Sequence, residues 1–250
     1  MIVIKSPREI DIMRRANQIV AETHEFLNDK IADGITTAEI DRLGEEFIKN
    51  EGATPSFKGY QGYPASVCVS INNEVVHGIP SKKRIIENGD LVSLDIGAYF
   101  KGFHGDAARS IGVGRISQEA KKLIKVTENC FYRGIEKACK GNRLSDVSHA
   151  IQEYVESRGF SVVREYVGHG IGRKMHESPQ IPNFGLPGRG PLLKTGMTLA
   201  IEPMVNAGGY QVKTLADKWT VVTRDGKLSA HYENTIAILD DGPEILSQIK

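Results

Sequence analysis

The stretch LVSLDIGAYFKGFHGDAARS, Leu91 to Ser110, reads as two strands joined at Lys101-Gly102. Alternation puts Leu91, Ser93, Asp95 and Gly97 on one face of the first arm, and Val92, Leu94 and Ile96 on the other. Each arm carries an aspartate, Asp95 and Asp106. Asp is depleted in strands because its short side chain competes for the backbone's hydrogen bonds. If the arms are symmetric about the point between Phe100 and Lys101, the two are cross-strand partners, with Cβ atoms roughly 4.5–5.5 Å apart, where like charges repel. Two readings account for them: a solvent-facing rim, or cations that neutralise the pair.

Working outward, Ser6-Pro7-Arg8-Glu9 is a helix start with a capping box, and Ile10, Met13, Val20 and Leu27 continue at helical spacing. Thr36 with Glu39 starts a second helix that runs to Gly52. SVCVSIN (66–72) is strand-like. After Gly114, helical patterns cover about 117–140 and 145–158. Strand-like runs follow at FSVVREYV (160–167) and MTLAIEPMV (197–205). WTVVTRDGKLSAHYENTIAIL reads as a hairpin turning at Asp225-Gly226. Each half thus reads helix, helix, strands. At one constant offset, Gly34 to Gly52 lies over Gly141 to Gly159, and ENGDLVSLD (87–95) over KTGMTLAIE (194–202), matching Asp95 with Glu202. A duplication would bring one carboxylate from each half to a central pseudo-twofold axis.

The 250 residues suffice for a sizeable core. Hydrophobic content of 40%, charged content of 25% and a net charge of +1 describe a soluble globular chain with no electrostatic footprint for nucleic acid or an anionic membrane. Three cysteines, Cys68, Cys130 and Cys139, without CxxC spacing, exclude a disulfide scaffold or zinc ribbon and fit the cytoplasm. The N-terminus does not read as a signal peptide, and no apolar run approaches the roughly 18 residues of a membrane span.

Two further carboxylates lie in apolar runs: Glu202 in LAIEPMV and Glu233 in HYENTIAIL. His169 stands between glycines in VGHGIG, where backbones can approach closely. An oxygen-rich set with one imidazole suits Mn²⁺, Fe²⁺ or Co²⁺, with Zn²⁺ a further candidate. The charges of four carboxylates are balanced by two divalent ions, whereas one ion leaves buried excess charge. Two neighbouring ions that share a water perform hydrolysis.

In that order, Asp95, Asp106, His169, Glu202 and Glu233 resemble the metal ligands of the methionine aminopeptidases of the pita-bread fold, in their type I form. The strings NEVVHGIP (73–80), DIGAYFKGFHGD (95–106), YVGHGIGRKMHESPQIP (166–182) and LAIEPMV (199–205) carry the same resemblance, which spans essentially the whole chain. It implies an α+β fold of two pseudo-symmetric halves, about 1–115 and 116–250, around a curved antiparallel sheet with helices outside, as one catalytic domain. It implies that Asp95 chelates one metal, Asp106 and Glu233 bridge both, and His169 and Glu202 complete the other. Glu202 also handles the proton of the attacking water, a bridging hydroxide. His77 and His176 contact substrate, with His176 hydrogen-bonded to the scissile carbonyl. Phe57, Tyr60, Tyr63, Cys68, Met175 and Trp219 match the methionine side-chain pocket, and Phe57 and Met175 depart from some members.

The implied reaction removes the N-terminal methionine from new polypeptides with a small second residue. It is carried out by a cytoplasmic monomer with transient ribosome contact. A monovalent cation near Asn72 and Ser229 is implied as well. The Xaa-Pro peptidases share the fold and ligands and usually carry an added N-terminal domain, for which there is no room before Asp95. A metal-free binding module of this fold is the remaining alternative, and such relatives have lost ligands.

Overall fold

The structure, a computed structural model, describes residues 1–249. Helix α1 (Pro7–Asn28) starts as its capping box dictates: the Glu9 amide donates to Ser6 Oγ, and the Ser6 amide donates to the Glu9 carboxylate. Thr36 caps α2 (Thr37–Asn50) through the Glu39 amide. Helices α3 (Gln118–Ile135) and α4 (Leu144–Glu156) form the second pair. The strands are β1 (Thr54–Pro55), β2 (Val67–Ile71), β3 (Glu74–Val76), β4 (Leu91–Phe100), β5 (Phe103–Gly112), β6 (Ser161–Val162), β7 (Gly168–Gly170), β8 (Glu177–Ile181), β9 (Thr198–Ile201), β10 (Met204–Asn206), β11 (Val212–Thr214), β12 (Val221–Thr223), β13 (Ser229–His231), β14 (Glu233–Leu239) and β15 (Gly242–Ile245). A 3₁₀ turn at Tyr60–Gly62 follows β1.

Nine strands form an antiparallel central sheet in the order β1-β4-β5-β14-β9-β7-β8, with β2 also along β4 and β15 also along β14. The order mirrors itself about the β5–β14 seam: β4 flanks β5 as β9 flanks β14. The arrangement is α+β with the helices on one face of a mirrored sheet, as the resemblance implies. On that face Ile19, Val20, Ile40 and Ile48 pack with Val92, Leu94 and Ile96. In the other half Leu123, Phe131, Val147 and Ile151 pack with Leu199, Ile201 and Ile236. The period of two along a strand then turns Asp95 to the opposite face. Helix α1 comes very close to β5: a Cβ at Gly105 would lie 2.8 Å from backbone atoms of Ala16 and Asn17.

Several boundaries differ from the sequence reading. The hairpin turns on Lys101-Gly102, both at positive φ as a type I′ turn requires, so Phe100 faces Phe103. Asp95 is therefore opposite Ala108, and Asp106 opposite Gly97. The aspartates are diagonal neighbours on one face, not direct partners. The run 197–205 is two strands, because Pro203 has no N–H for the ladder and the chain passes there from the central sheet to a small one, β13-β10-β6. The run 160–167 pairs only at Ser161 and Val162. Residues 219–239 are not a hairpin. β12 is paired on both edges, by β11 and β3, so the Asp225-Gly226 turn leads to β13, beside β10. The helix expected over 117–140 ends at Ile135, where the chain tightens into i→i+3 bonds from Lys137 and Ala138.

Candidate metal centre and pocket

The two halves deliver their carboxylates to one place. Asp95 and Asp106 come from the middle of the β4–β5 ladder. The Asp106 amide donates to both Asn17 Oδ1 and Thr235 Oγ1, 3.2 Å each, and the Thr235 hydroxyl donates back to the Asp106 carbonyl. Glu202 follows β9 at the Pro203 crossing, and Asn183 Nδ2 donates to its carbonyl at 3.0 Å. Glu233 opens β14 just past a second crossing at Tyr232, and Arg109 donates to its carbonyl. The same guanidinium reaches Ala108 O, Asn234 Oδ1 and Ser247 O. His169 sits in β7 between two glycines whose absent Cβ atoms make room. A Cβ at Gly168 would lie 2.4 Å from Ala200 O, and one at Gly170 would lie 2.2 Å from Ser178 O.

Asp106, His169 and Glu233 offer ligand atoms that all lie within 4.8 Å of one another. His169 Nε2 is 3.7 Å from Asp106 Oδ2 and 3.6 Å from Glu202 Oε1. His169 Nδ1 donates to the Gly170 carbonyl at 3.0 Å, so in the neutral ring Nε2 keeps its lone pair on the carboxylate side. Asp95 Oδ1, Asp106 Oδ1 and Glu233 Oε1 are buried without any hydrogen-bond partner. Burial pushes Asp95 up to about 7 and Glu202, Asp106 and Glu233 well above the usual carboxylate range; neighbouring carboxylates add to the last three. Burial holds His169 down to about 3. Bare oxygens, mutual repulsion and a neutral imidazole nitrogen are what a cation site requires, and oxygen donors with one nitrogen fit hard or borderline divalent ions.

Above the carboxylates lies a cavity of about 230 Å³. Phe57, Tyr60, Tyr63, Cys68, His77, Met175, His176 and Trp219 line it, together with Asp95, Asp106, His169, Glu202 and Glu233. Every residue expected from the sequence thus meets in one cavity. The apolar walls are interlocked. Trp219 is edge-on to Tyr63 at 5.1 Å and to His77 at 6.2 Å, and the Tyr63 hydroxyl donates to the Gly78 carbonyl at 2.9 Å. His77 stands just past β3 at φ +60, with burial lowering its pKa to about 4. At the rim the Tyr60 hydroxyl meets His176 Nδ1 at 2.7 Å. Cys68 is a buried free thiol whose pKa burial raises, so it stays protonated. Asn72 and Ser229 are brought together as well, the Ser229 amide donating to the Asn72 carbonyl at 2.8 Å.

Four contributors escaped the sequence reading. Asn17 is fully buried in the middle of α1, where a polar residue on the apolar stripe is the legible signal. Arg109, Asn183 and His231 act through contacts between distant segments and have no local signature. His231 is 1% exposed and lies 3.9 Å from both Glu202 Oε2 and Glu233 Oε2. Gln61 also lines the cavity.

The chain is similar to known proteins in sequence and in fold. The model of metallopeptidase family M24 matches residues 11–240. A methionine aminopeptidase of Clostridium perfringens is 62% identical over 250 residues, covering 100% of each chain. The crystal structure of a methionine aminopeptidase from Thermotoga maritima superposes with a TM-score of 0.98 at 48% identity, covering 100% of both chains. An Xaa-Pro dipeptidase from Bacillus anthracis superposes with a TM-score of 0.78 at 26% identity, covering 99% of this chain and 62% of the dipeptidase.

Proposed function

The chain belongs to metallopeptidase family M24, in its methionine aminopeptidase branch, and from that premise we propose that it removes the N-terminal methionine from new polypeptides with a small second residue, using two divalent metal ions. The observation that carries the reading is the single cavity in which an apolar, interlocked wall meets four carboxylates, three of them with buried oxygens that have no hydrogen-bond partner. Asp95 would hold one ion, Asp106 and Glu233 would bridge, and His169 and Glu202 would hold the other; cobalt, manganese, iron and zinc all suit these donors. Ions held there would supply Lewis acidity, which makes water a nucleophile at neutral pH and polarises a scissile carbonyl.

The chain's own groups do the rest. Glu202, whose carboxylate lines the cavity, would accept the proton of the water. Burial lowers the pKa of His176, so the ring is neutral near pH 7; with the Tyr60 hydroxyl on Nδ1, its Nε2–H can donate to the carbonyl oxygen as charge develops. His77 faces the same cavity as a second contact to the peptide. Phe57, Tyr60, Tyr63, Cys68, Met175 and Trp219 enclose the methionine side chain. A monovalent cation beside Asn72 and Ser229 belongs to the same proposal, supported by their contact. So does action as one monomeric catalytic domain on chains emerging from the ribosome in the cytoplasm, to which the lack of any membrane-spanning helix among the described residues is no obstacle.

The test is hydrolysis of Met-Ala-Ser and Ala-Pro-Ser by metal-stripped protein with and without Mn²⁺ or Co²⁺. Metal-dependent cleavage of the first alone is expected. Cleavage of the second alone would reassign the chain to the Xaa-Pro peptidases. Cleavage of neither, with metal bound, would favour a binding role.

A further inference from the structure

Glu202 lies between two imidazoles. Its Oε1 is 3.6 Å from His169 Nε2, and its Oε2 is 3.9 Å from His231 Nε2. The two rings are in opposite situations. His169 gives its Nδ1 proton to the Gly170 carbonyl and presents a bare Nε2. His231 Nε2 is buried with no hydrogen-bond partner among the described residues, and no carbonyl holds its ring. The groups that face this nitrogen are Glu202 Oε2 and Glu233 Oε2, each at 3.9 Å. With cations bound, both carboxylates are ionised and can only accept, so an Nε2 aimed at two of them belongs to the tautomer with its proton there. The backbone beneath the ring is clamped. One hydroxyl, Ser110 Oγ, accepts from the His231 amide and donates to the His231 carbonyl, 2.9 Å each, while Met204 pairs with His231 across the small sheet.

We infer that His231 is a positioning residue for the metal centre. Its Nε2–H steadies the outer oxygens of Glu202 and Glu233, which arrive from two different strand crossings, and so turns their other oxygens toward the ions. The inference rests on the metal-binding reading above and adds to it a residue outside the ligand set. It also gives the two histidines beside Glu202 different duties: His169 binds through a lone pair, and His231 directs through a proton.

The test is calorimetric titration of the metal-stripped protein with Mn²⁺, alongside thermal unfolding of each metal-free variant as a check of folding. His231→Leu keeps bulk and loses the donor; its Mn²⁺ affinity is expected to fall about 10–100-fold, the usual effect of losing such a partner. His231→Gln places an amide N–H near the position of Nε2 and is expected to bind within a few-fold of wild type. His231→Asn reaches only as far as Nδ1 and is expected to bind as weakly as the Leu variant. The contrast between Gln and Asn decides the matter if His231→Leu does not fold. Leu or Asn variants that bind Mn²⁺ as tightly as wild type would overturn the inference, as would a Gln variant as weak as Asn, which would point to packing alone. A wild-type protein that binds no Mn²⁺ would overturn the metal-site reading and this inference with it.

Discussion

The β4–β5 hairpin and the β9–β14 pair supply the same kind of cargo, two carboxylates each, by different means. The hairpin is an unbroken ladder from Leu91↔Gly112 to Phe100↔Phe103, and its aspartates project from the middle. The β9–β14 pair is interrupted. At Glu202-Pro203 and at Tyr232 both strands leave the central sheet together, and β10 and β13 continue the pairing in a smaller one. The Tyr232 amide donates to the Pro203 carbonyl across this shared break. Short aspartates serve where a continuous strand passes close to the centre. Longer glutamates serve where the backbone is turning away. The continuous half is held at Asp106 by Asn17 of α1 and Thr235 of β14, whereas the interrupted half is held by Arg109, Asn183 and Ser110 from elsewhere in the chain.

The largest expected effect asks whether the two halves are equivalent. Asp106→Asn and Glu233→Gln should each reduce turnover by more than about 100-fold, beyond what loss of an outer partner produces, and lower the bound metal per chain. Metal analysis alongside peptide hydrolysis checks this. An Asp106→Asn protein with wild-type metal content would remove Asp106 from the ligands and break the symmetry.

A smaller effect compares how the helices of the two halves are packed. Gly105→Ala drives a Cβ into the backbone of α1 and should destabilise by about 1–3 kcal/mol. Gly134→Ala in α3 would place a Cβ 2.7 Å from Ile151 Cγ1, a side-chain atom of α4 that can shift more readily than backbone, and it gains helix propensity of up to about 1 kcal/mol, so its loss should be the smaller. Denaturant titration of both variants measures the difference, and equal losses would show that α1 sits no more tightly on β5 than α3 sits on α4.

The smallest effect is a pH trend in the metal-free protein. His24, His169 and His231 are held down to about 3 and His77 and His104 to about 4, so the unfolded chain binds more protons between these values and about 6.5, and stability rises with pH there. Asp95 is raised to about 7, and Asp106, Glu202 and Glu233 are raised well above the usual carboxylate range. Here the folded chain binds more protons, so stability falls as pH rises above the unfolded carboxylate value near 4. Above about pH 6.5 the histidines no longer oppose this. The melting temperature of metal-free protein should therefore decline from about pH 6.5 to 8, and Mn²⁺ should raise it most at the upper end. A melting temperature that climbs through this window would argue that the carboxylates are not crowded together.

The comparison also marks the limit of local reading. The hairpin was legible because alternation and a two-residue turn are rules of neighbours, although a symmetry point displaced by one position put the aspartates opposite each other. MTLAIEPMV and WTVVTRDGKLSAHYENTIAIL looked like one strand and one hairpin because apolar alternation continues across a crossing. Only Pro203 signalled the break, and at Tyr232 nothing did. Asn17 left a trace as a polar residue on an apolar stripe, whereas Arg109 and Asn183 left none, because their hydrogen bonds join segments far apart in the chain.

The sequence by itself determined the two helix pairs, the central hairpin, the apparent duplication and the identity of five candidate ligands, since caps, period and residue chemistry are local properties. The tertiary structure alone decided the paired crossings that bring Glu202 and Glu233 inward and the placement of His231 between them. Those depend on which strands meet at the β5–β14 seam, a contact between residues more than a hundred positions apart, and no window of sequence contains it.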